Sequence, residues 1–164
     1  MFDRRQKINL LCAVFCFGML GYAIYAEKVL GFLPCPLCMF QRVCIGAAGI
    51  VFLVAGLHRA RALGARIYGL FVLLTAGSAI AVAGRHVWVQ AQPPGTVPAC
   101  GAPLDALMQM FPIFEVVHKV MTGGGECGTI DWKFVGLSMP QWVLISAVAL
   151  LLVGLWNNVI KPVR

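Results

Sequence analysis

The stretch CPLCMFQRVCIGAAGIVFLVAGL, residues 35–57, sets a Cys-Pro-Leu-Cys motif directly ahead of a long apolar run. From Phe40 to Leu57 the only charge is Arg42, and the run comes near the roughly 20 apolar residues that cross a ~30 Å hydrocarbon core. Working outward, Ile8 to Tyr25, Ile67 to Trp88 and Trp142 to Ile160 read the same way. Composition agrees, since 60% of the 164 residues are hydrophobic and 12% charged. An ordinary soluble domain carries about twice that share of charge, roughly a quarter. The expected fold is therefore an all-α membrane protein, a four-transmembrane-helix bundle in one integral membrane domain, 1–164, with spans at about 8–25, 40–57, 67–88 and 142–160. The first span follows Arg4, Arg5 and Lys7, but no small-x-small cleavage site follows it, so it reads as a retained signal anchor.

Basic residues set the expected orientation. Arg4, Arg5 and Lys7, then Arg59, Arg61 and Arg66, then Lys161 and Arg164 fall on one side if four spans alternate. The positive-inside rule makes that side cytoplasmic and places both termini there. Every acidic residue except Asp3 then lies outside: Glu27, Asp105, Glu115, Glu126 and Asp131. The net charge of +7 is thus a topology signal. No basic patch is interleaved with aromatics as nucleic-acid binding requires, so no nucleic-acid partner is expected.

The outer connectors, about 26–39 and 89–141, hold Cys35, Cys38, Cys100 and Cys127, whereas Cys12, Cys16 and Cys44 lie within the apolar spans. Disulfides persist in oxidising compartments, and four cysteines can pair in three ways. Proximity favours Cys35 with Cys38, leaving Cys100 with Cys127. A Cys-x-x-Cys closes too small a loop to be an effective staple and is a common redox centre. Pro36 suits the first helical position, which makes Cys35 an N-cap and puts Cys38 in the first turn, where the helix dipole favours a thiolate. Arg42 lies one turn deeper on the same face, where charge is costly and commonly functional. It is placed to hold an anionic or carbonyl-bearing ligand beside the Cys38 sulfur.

These features resemble the bacterial disulfide bond formation protein B family (DsbB). The likeness lies in Cys35-Pro36-Leu37-Cys38 followed by Gln41-Arg42, in Cys100 and Cys127, and in the run Trp132-Lys133-Phe134-Val135-Gly136-Leu137-Ser138-Met139-Pro140-Gln141-Trp142 leading into the last span. The resemblance implies a protein-dithiol:quinone oxidoreductase of the bacterial inner membrane, with a periplasmic DsbA-like thiol oxidase and the membrane quinone pool, ubiquinone or menaquinone, as partners. It implies that a partner thiolate attacks Cys100 and frees Cys127, that Cys127 attacks Cys35 and releases Cys38, and that Cys38 meets the quinone with Arg42 stabilising the anion. It also implies that His86 lines the quinone site. Two other classes stay open: a vitamin K epoxide reductase-like thiol enzyme, and a non-enzymatic cysteine-stapled membrane protein.

Other polar groups read as bystanders. His58 adjoins the basic connector and is expected to be solvated, and His118 lies in the outer loop. Cys12 and Cys16 share a helix face, but no histidine or carboxylate completes a four-ligand zinc set, so packing is expected and no metal. In the long periplasmic loop, the alternation from Pro112 to Met121 predicts a short amphipathic helix on the membrane surface. Gln92-Pro93-Pro94-Gly95 and Gly123-Gly124-Gly125 read as hinges that let Cys127 move.

Overall fold

The computed structural model describes residues 3–58, 60, 62–93, 95–98, 104–128, 130 and 132–160. Cys100, Arg59, Arg61, Asp131, Lys161 and Arg164 lie outside them, so the cysteine pairing and part of the basic pattern are not described. Among the described residues, four helices are long and apolar enough to cross a membrane. Helix α1 spans Arg4–Lys28, α2 spans Pro36–Leu57, α3 spans Ala62–Gln90, and α6, Met139–Leu155, runs on through a π turn at Trp156–Ile160. Each exceeds its predicted hydrophobic stretch, because capping residues extend helices past the greasy segment. Asp3 caps α1, and its backbone N–H donates to Gln6 Oε1 at 3.0 Å. Cys35 caps α2 ahead of Pro36, as the sequence predicts.

Helix α1 packs on α2, α2 on α3, and α3 on α6. Their shared core joins Cys12, Ala13 and Cys16 to Ile45, Ala48, Phe52, Val72, Ala76, Ala79, Ala147 and Leu150. Small residues dominate the crossings, as they do where lipid removes the usual hydrophobic drive between helices and close van der Waals approach takes over. Gly154 shows the tolerance: a Cβ there would come within 2.6 Å of Val72 Cγ1 and 2.9 Å of Phe52 Cζ. Leu11, Val14, Val43, Leu63, Leu70 and Leu152 instead face outward and are exposed. An apolar outside around a small-residue core is what a lipid solvent demands, so the chain is a multi-pass membrane protein.

The long connector carries α4 (Leu104–Met110), α5 (Ile113–Thr122), a 3₁₀ turn at Gly125–Gly128 and a hairpin of β1 (Lys133–Phe134) with β2 (Leu137–Ser138). The predicted amphipathic helix is present as α5. Its buried side, Val116 and Val120, packs with Leu37 at the start of α2, while Ile113 and Phe114 stay exposed. The loop therefore sits over the mouth of the bundle. The glycine run is anchored in this structure: Arg85 Nε donates to Met121 O at 2.8 Å and Nη2 to Thr122 O at 3.0 Å and Gly123 O at 3.3 Å. The hairpin turns on Val135 (φ 53°) and Gly136 (φ 79°), with Lys133 opposite Ser138. Two consecutive left-handed residues match the right-handed strand twist, although a β-branched residue there is costly. Trp142 Nε1 donates to Phe134 O at 3.0 Å and Ser138 Oγ to Gln90 Oε1 at 2.8 Å, tying the hairpin to α6 and α3.

Candidate functional site

Three separated parts of the chain meet at the mouth of α2. Cys35 stands at its N-cap, and the Cys38 backbone N–H donates to Cys35 Sγ at 3.4 Å. The Cys35 and Cys38 sulfurs are 3.2 Å apart, and both residues are free thiols. In the first turn of α2 the Cys38 amide is thus the donor that meets a sulfur. The end of α3 brings in His86, and the 3₁₀ turn brings in Cys127, both buried. The ligand atoms of Cys35, His86 and Cys127 all lie within 4.8 Å of one another.

His86 is held from both sides. Gln41 Nε2 is 2.9 Å from His86 Nδ1, and His86 Nε2 is 3.2 Å from Cys127 O and 3.9 Å from Cys35 Sγ. A carbonyl can only accept, so the neutral ring carries its proton on Nε2 and receives the Gln41 amide at Nδ1. Cys127 is fixed by its own backbone, whose N–H donates to Gly124 O at 2.8 Å. Gly125 donates to Pro98 O at 3.1 Å, and a Cβ on it would collide with Val97 O. Contact with the Cys127 thiol, more than burial, pushes the Cys35 thiol up to about 12, while the neighbouring Cys38 thiol partly offsets the rise. At neutral pH Cys35 therefore keeps its proton.

Beside the thiols opens a cavity of about 150 Å³. Met19, Leu20, Ile45 and Val143 form apolar walls, and Cys38, Gln41, Arg42, His86 and Cys127 form a polar edge. Arg42 is fixed there by an ion pair to Glu27 and by donating from Nη2 to Ala23 O at 3.0 Å.

The structure thus gathers Cys35, Cys38, Cys127, Arg42 and His86 around one cavity; Cys100 lies outside the described residues. Glu27 and Gln41 carried no assigned role in the sequence. An acid at the end of the first span, with an arginine at the start of the second, was the available signal for Glu27. His58 stands at the opposite end of the bundle, exposed, 2.7 Å from Tyr68 Oη, and His118 is exposed on α5. Cys12 and Cys16 are buried among apolar neighbours.

The profile of the family described as "Disulfide bond formation protein DsbB" matches residues 4–157. The chain is 48% identical over 143 residues to Disulfide bond formation protein B of Xylella fastidiosa (strain 9a5c), covering 87% of this chain and 83% of that one. It is 47% identical over 138 residues to the protein of that name from Xanthomonas oryzae pv. oryzae (strain MAFF 311018), covering 84% and 80%. With that of Xanthomonas axonopodis pv. citri (strain 306) it shares 46% over 142 residues, covering 86% and 83%. A thiol cluster beside a cavity at the mouth of the helix bundle agrees with these matches and with the oxidoreductase role they imply, and the chain belongs to the DsbB family of disulfide bond formation proteins.

Proposed function

We propose that this protein reoxidises a periplasmic DsbA-like dithiol and delivers the electrons to membrane quinone, generating disulfide bonds de novo at the bacterial inner membrane with both termini cytoplasmic. The observation that carries this reading is the convergence of Cys35, Cys127 and His86 beside Cys38 on one edge of the cavity.

The relay conserves electrons at each exchange. A partner thiolate attacks Cys100, the Cys100–Cys127 bond breaks, and Cys127 leaves as a thiolate. Cys127 attacks Cys35, and Cys38 leaves as a thiolate at the N-terminal end of α2, where a helix dipole favours negative charge. The partner's second thiol then displaces Cys100, and the departing Cys100 thiolate recloses on Cys127 and releases Cys35. Two electrons now rest on the Cys35/Cys38 dithiol. The proximity of Cys127 to Cys35 supports a direct transfer between the loops.

The cavity suits a flat ring bearing carbonyls: apolar side chains line it together with the cationic Arg42 and the polar Gln41 and His86. A quinone bound there would accept the electron pair and two protons as the Cys35–Cys38 disulfide reforms. Glu27 and the Ala23 carbonyl hold the Arg42 guanidinium at the cavity edge, and Gln41 holds the His86 ring with its Nε2–H toward the thiols.

The test is anaerobic mixing of a reduced DsbA-like protein, this protein and a defined quinone. One partner disulfide should form per quinone reduced. Partner oxidation that proceeds equally without quinone, or none at all, would refute the assignment.

A further inference from the structure

The same geometry carries a second chemistry. A tetrahedral zinc site with Zn–S near 2.3 Å and Zn–N near 2.0 Å places its ligand atoms about 3.5–3.8 Å apart. Cys35 Sγ and His86 Nε2 are 3.9 Å apart, and Cys127 Sγ completes a triangle no wider than 4.8 Å. Small shifts bring three ligands of the type zinc prefers onto one ion. Buried zinc-ligating histidines need a partner on their other ring nitrogen, and Gln41 stands 2.9 Å from His86 Nδ1.

We propose that the reduced protein binds one thiophilic divalent cation of the zinc class through Cys35 Sγ, Cys127 Sγ and His86 Nε2, and that the bound ion blocks the relay. Binding needs no oxidant or reductant: the two thiols release their protons, the imidazole proton moves from Nε2 to Nδ1, and the Gln41 amide turns so that its oxygen accepts. The oxidised protein cannot bind in this way, because its sulfurs are committed to disulfides. The ion thus captures only the fully reduced protein, with both the Cys35–Cys38 and Cys100–Cys127 bonds open, and stops Cys35 and Cys127 from exchanging. The blocking consequence rests on the proposed redox function; the binding does not.

The experiment titrates Zn²⁺ against the full-length detergent-solubilised protein carrying Cys12→Ala, Cys16→Ala and Cys44→Ala, reduced or oxidised, with a competing chromophoric chelator and without partner or quinone. One ion should bind the reduced form and none the oxidised form. Cys127→Ser and His86→Ala should each weaken binding about a hundredfold or more, as expected when one of a few ligands is removed. Gln41→Leu should weaken it about ten- to a hundredfold, the usual effect of losing the group that orients a ligating histidine. Co²⁺ in place of Zn²⁺ should give the intense visible bands of tetrahedral sulfur and nitrogen ligation in the protein that retains Cys127 and His86, which decides the matter even where a variant fails to fold. Absence of binding to the reduced form, a weak octahedral Co²⁺ spectrum, or full affinity in both Cys127→Ser and His86→Ala would overturn the site. Because neither partner nor quinone is present, that failure would leave the proposed function standing.

Discussion

Two buried polar clusters occupy opposite ends of this bundle, and they differ in what they leave open. Near the chain termini, Asn157 Nδ2 donates to Asn9 Oδ1 at 3.0 Å and to Arg5 O at 3.1 Å. Asn158 Nδ2 donates to the same Asn9 oxygen at 3.1 Å, and Asn9 Nδ2 returns a bond to Asn158 Oδ1 at 3.1 Å. These amides bind mainly each other and clasp α1 to the π turn at the end of the last span. At the far end, Gln41, His86, Cys35 and Cys127 also meet out of water, but their cluster opens on a cavity and is built from groups that exchange protons or electrons. Burying polar groups in lipid stabilises a bundle only when they satisfy one another. The asparagine clasp does so for the amide groups of Asn9 and Asn158 but leaves Asn157 Oδ1 buried without a partner among the described residues; the thiol cluster keeps its sulfur chemistry available to a second molecule.

The sharpest break between the two ends should come from the cysteines. Cys100→Ser and Cys127→Ser should each abolish partner oxidation, whereas Cys12→Ala, Cys16→Ala and Cys44→Ala should stay within a few-fold of the unmodified protein. Loss of turnover in well-folded Cys12→Ala would erase the distinction between relay and packing thiols.

Next in size is the behaviour of Cys35 toward alkylating agents. Its thiol, pushed up to about 12 chiefly by Cys127, should react in the reduced protein at pH 8 at least about a hundredfold more slowly than an unperturbed thiol. Cys127→Ala should speed it. The sign for stability follows: a raised thiol favours the folded state below the ordinary thiol range, and that contribution is lost as pH rises toward about 12. A Cys35 alkylation rate insensitive to Cys127 would mean the two sulfurs do not interact.

Arg42→Ala should raise the quinone requirement or slow its reduction by roughly ten- to a hundredfold, the cost of one charged hydrogen bond, with thiol exchange at Cys100 nearly intact. Arg42→Lys should recover only part, because an ammonium lacks the planar fork of donors. Stopped-flow separation of the half-reactions checks this, and impaired exchange with normal quinone reduction would move Arg42 to the other half of the relay. The smallest effect belongs to the opposite end: Asn9→Leu should cost roughly 1–2 kcal/mol of stability, the upper range for hydrogen bonds between membrane helices, while turnover per folded molecule is unchanged.

Much of this was legible in the chain because it is local. Spans follow from runs of apolar residues, and the Cys35 cap follows from Pro36 and the first-turn position of Cys38. The remainder depends on contacts between distant positions. His86 meets Gln41 across 45 residues and Cys127 across 41, and no spacing rule encodes such meetings. Arg85 gains its carbonyl partners only when the end of α5 and Gly123 fold back onto it. The Asn157-Asn158 pair meets its partner only when Asn9 arrives from the other end of the chain. Metal-ligand spacing was absent from the sequence for the same reason: Cys35, His86 and Cys127 come from a helix cap, a helix end and a loop.

The central claim is that Cys127 hands its electrons directly to Cys35. In a protein carrying Cys100→Ser and Cys38→Ser, only these two thiols of the outer cluster remain, and their ligand atoms lie within 4.8 Å. Mild oxidation followed by peptide mapping should recover a Cys35–Cys127 disulfide in most molecules. Recovery of both cysteines as free thiols, under conditions that fully oxidise the Cys35/Cys38 pair of the unmodified protein, would contradict the relay.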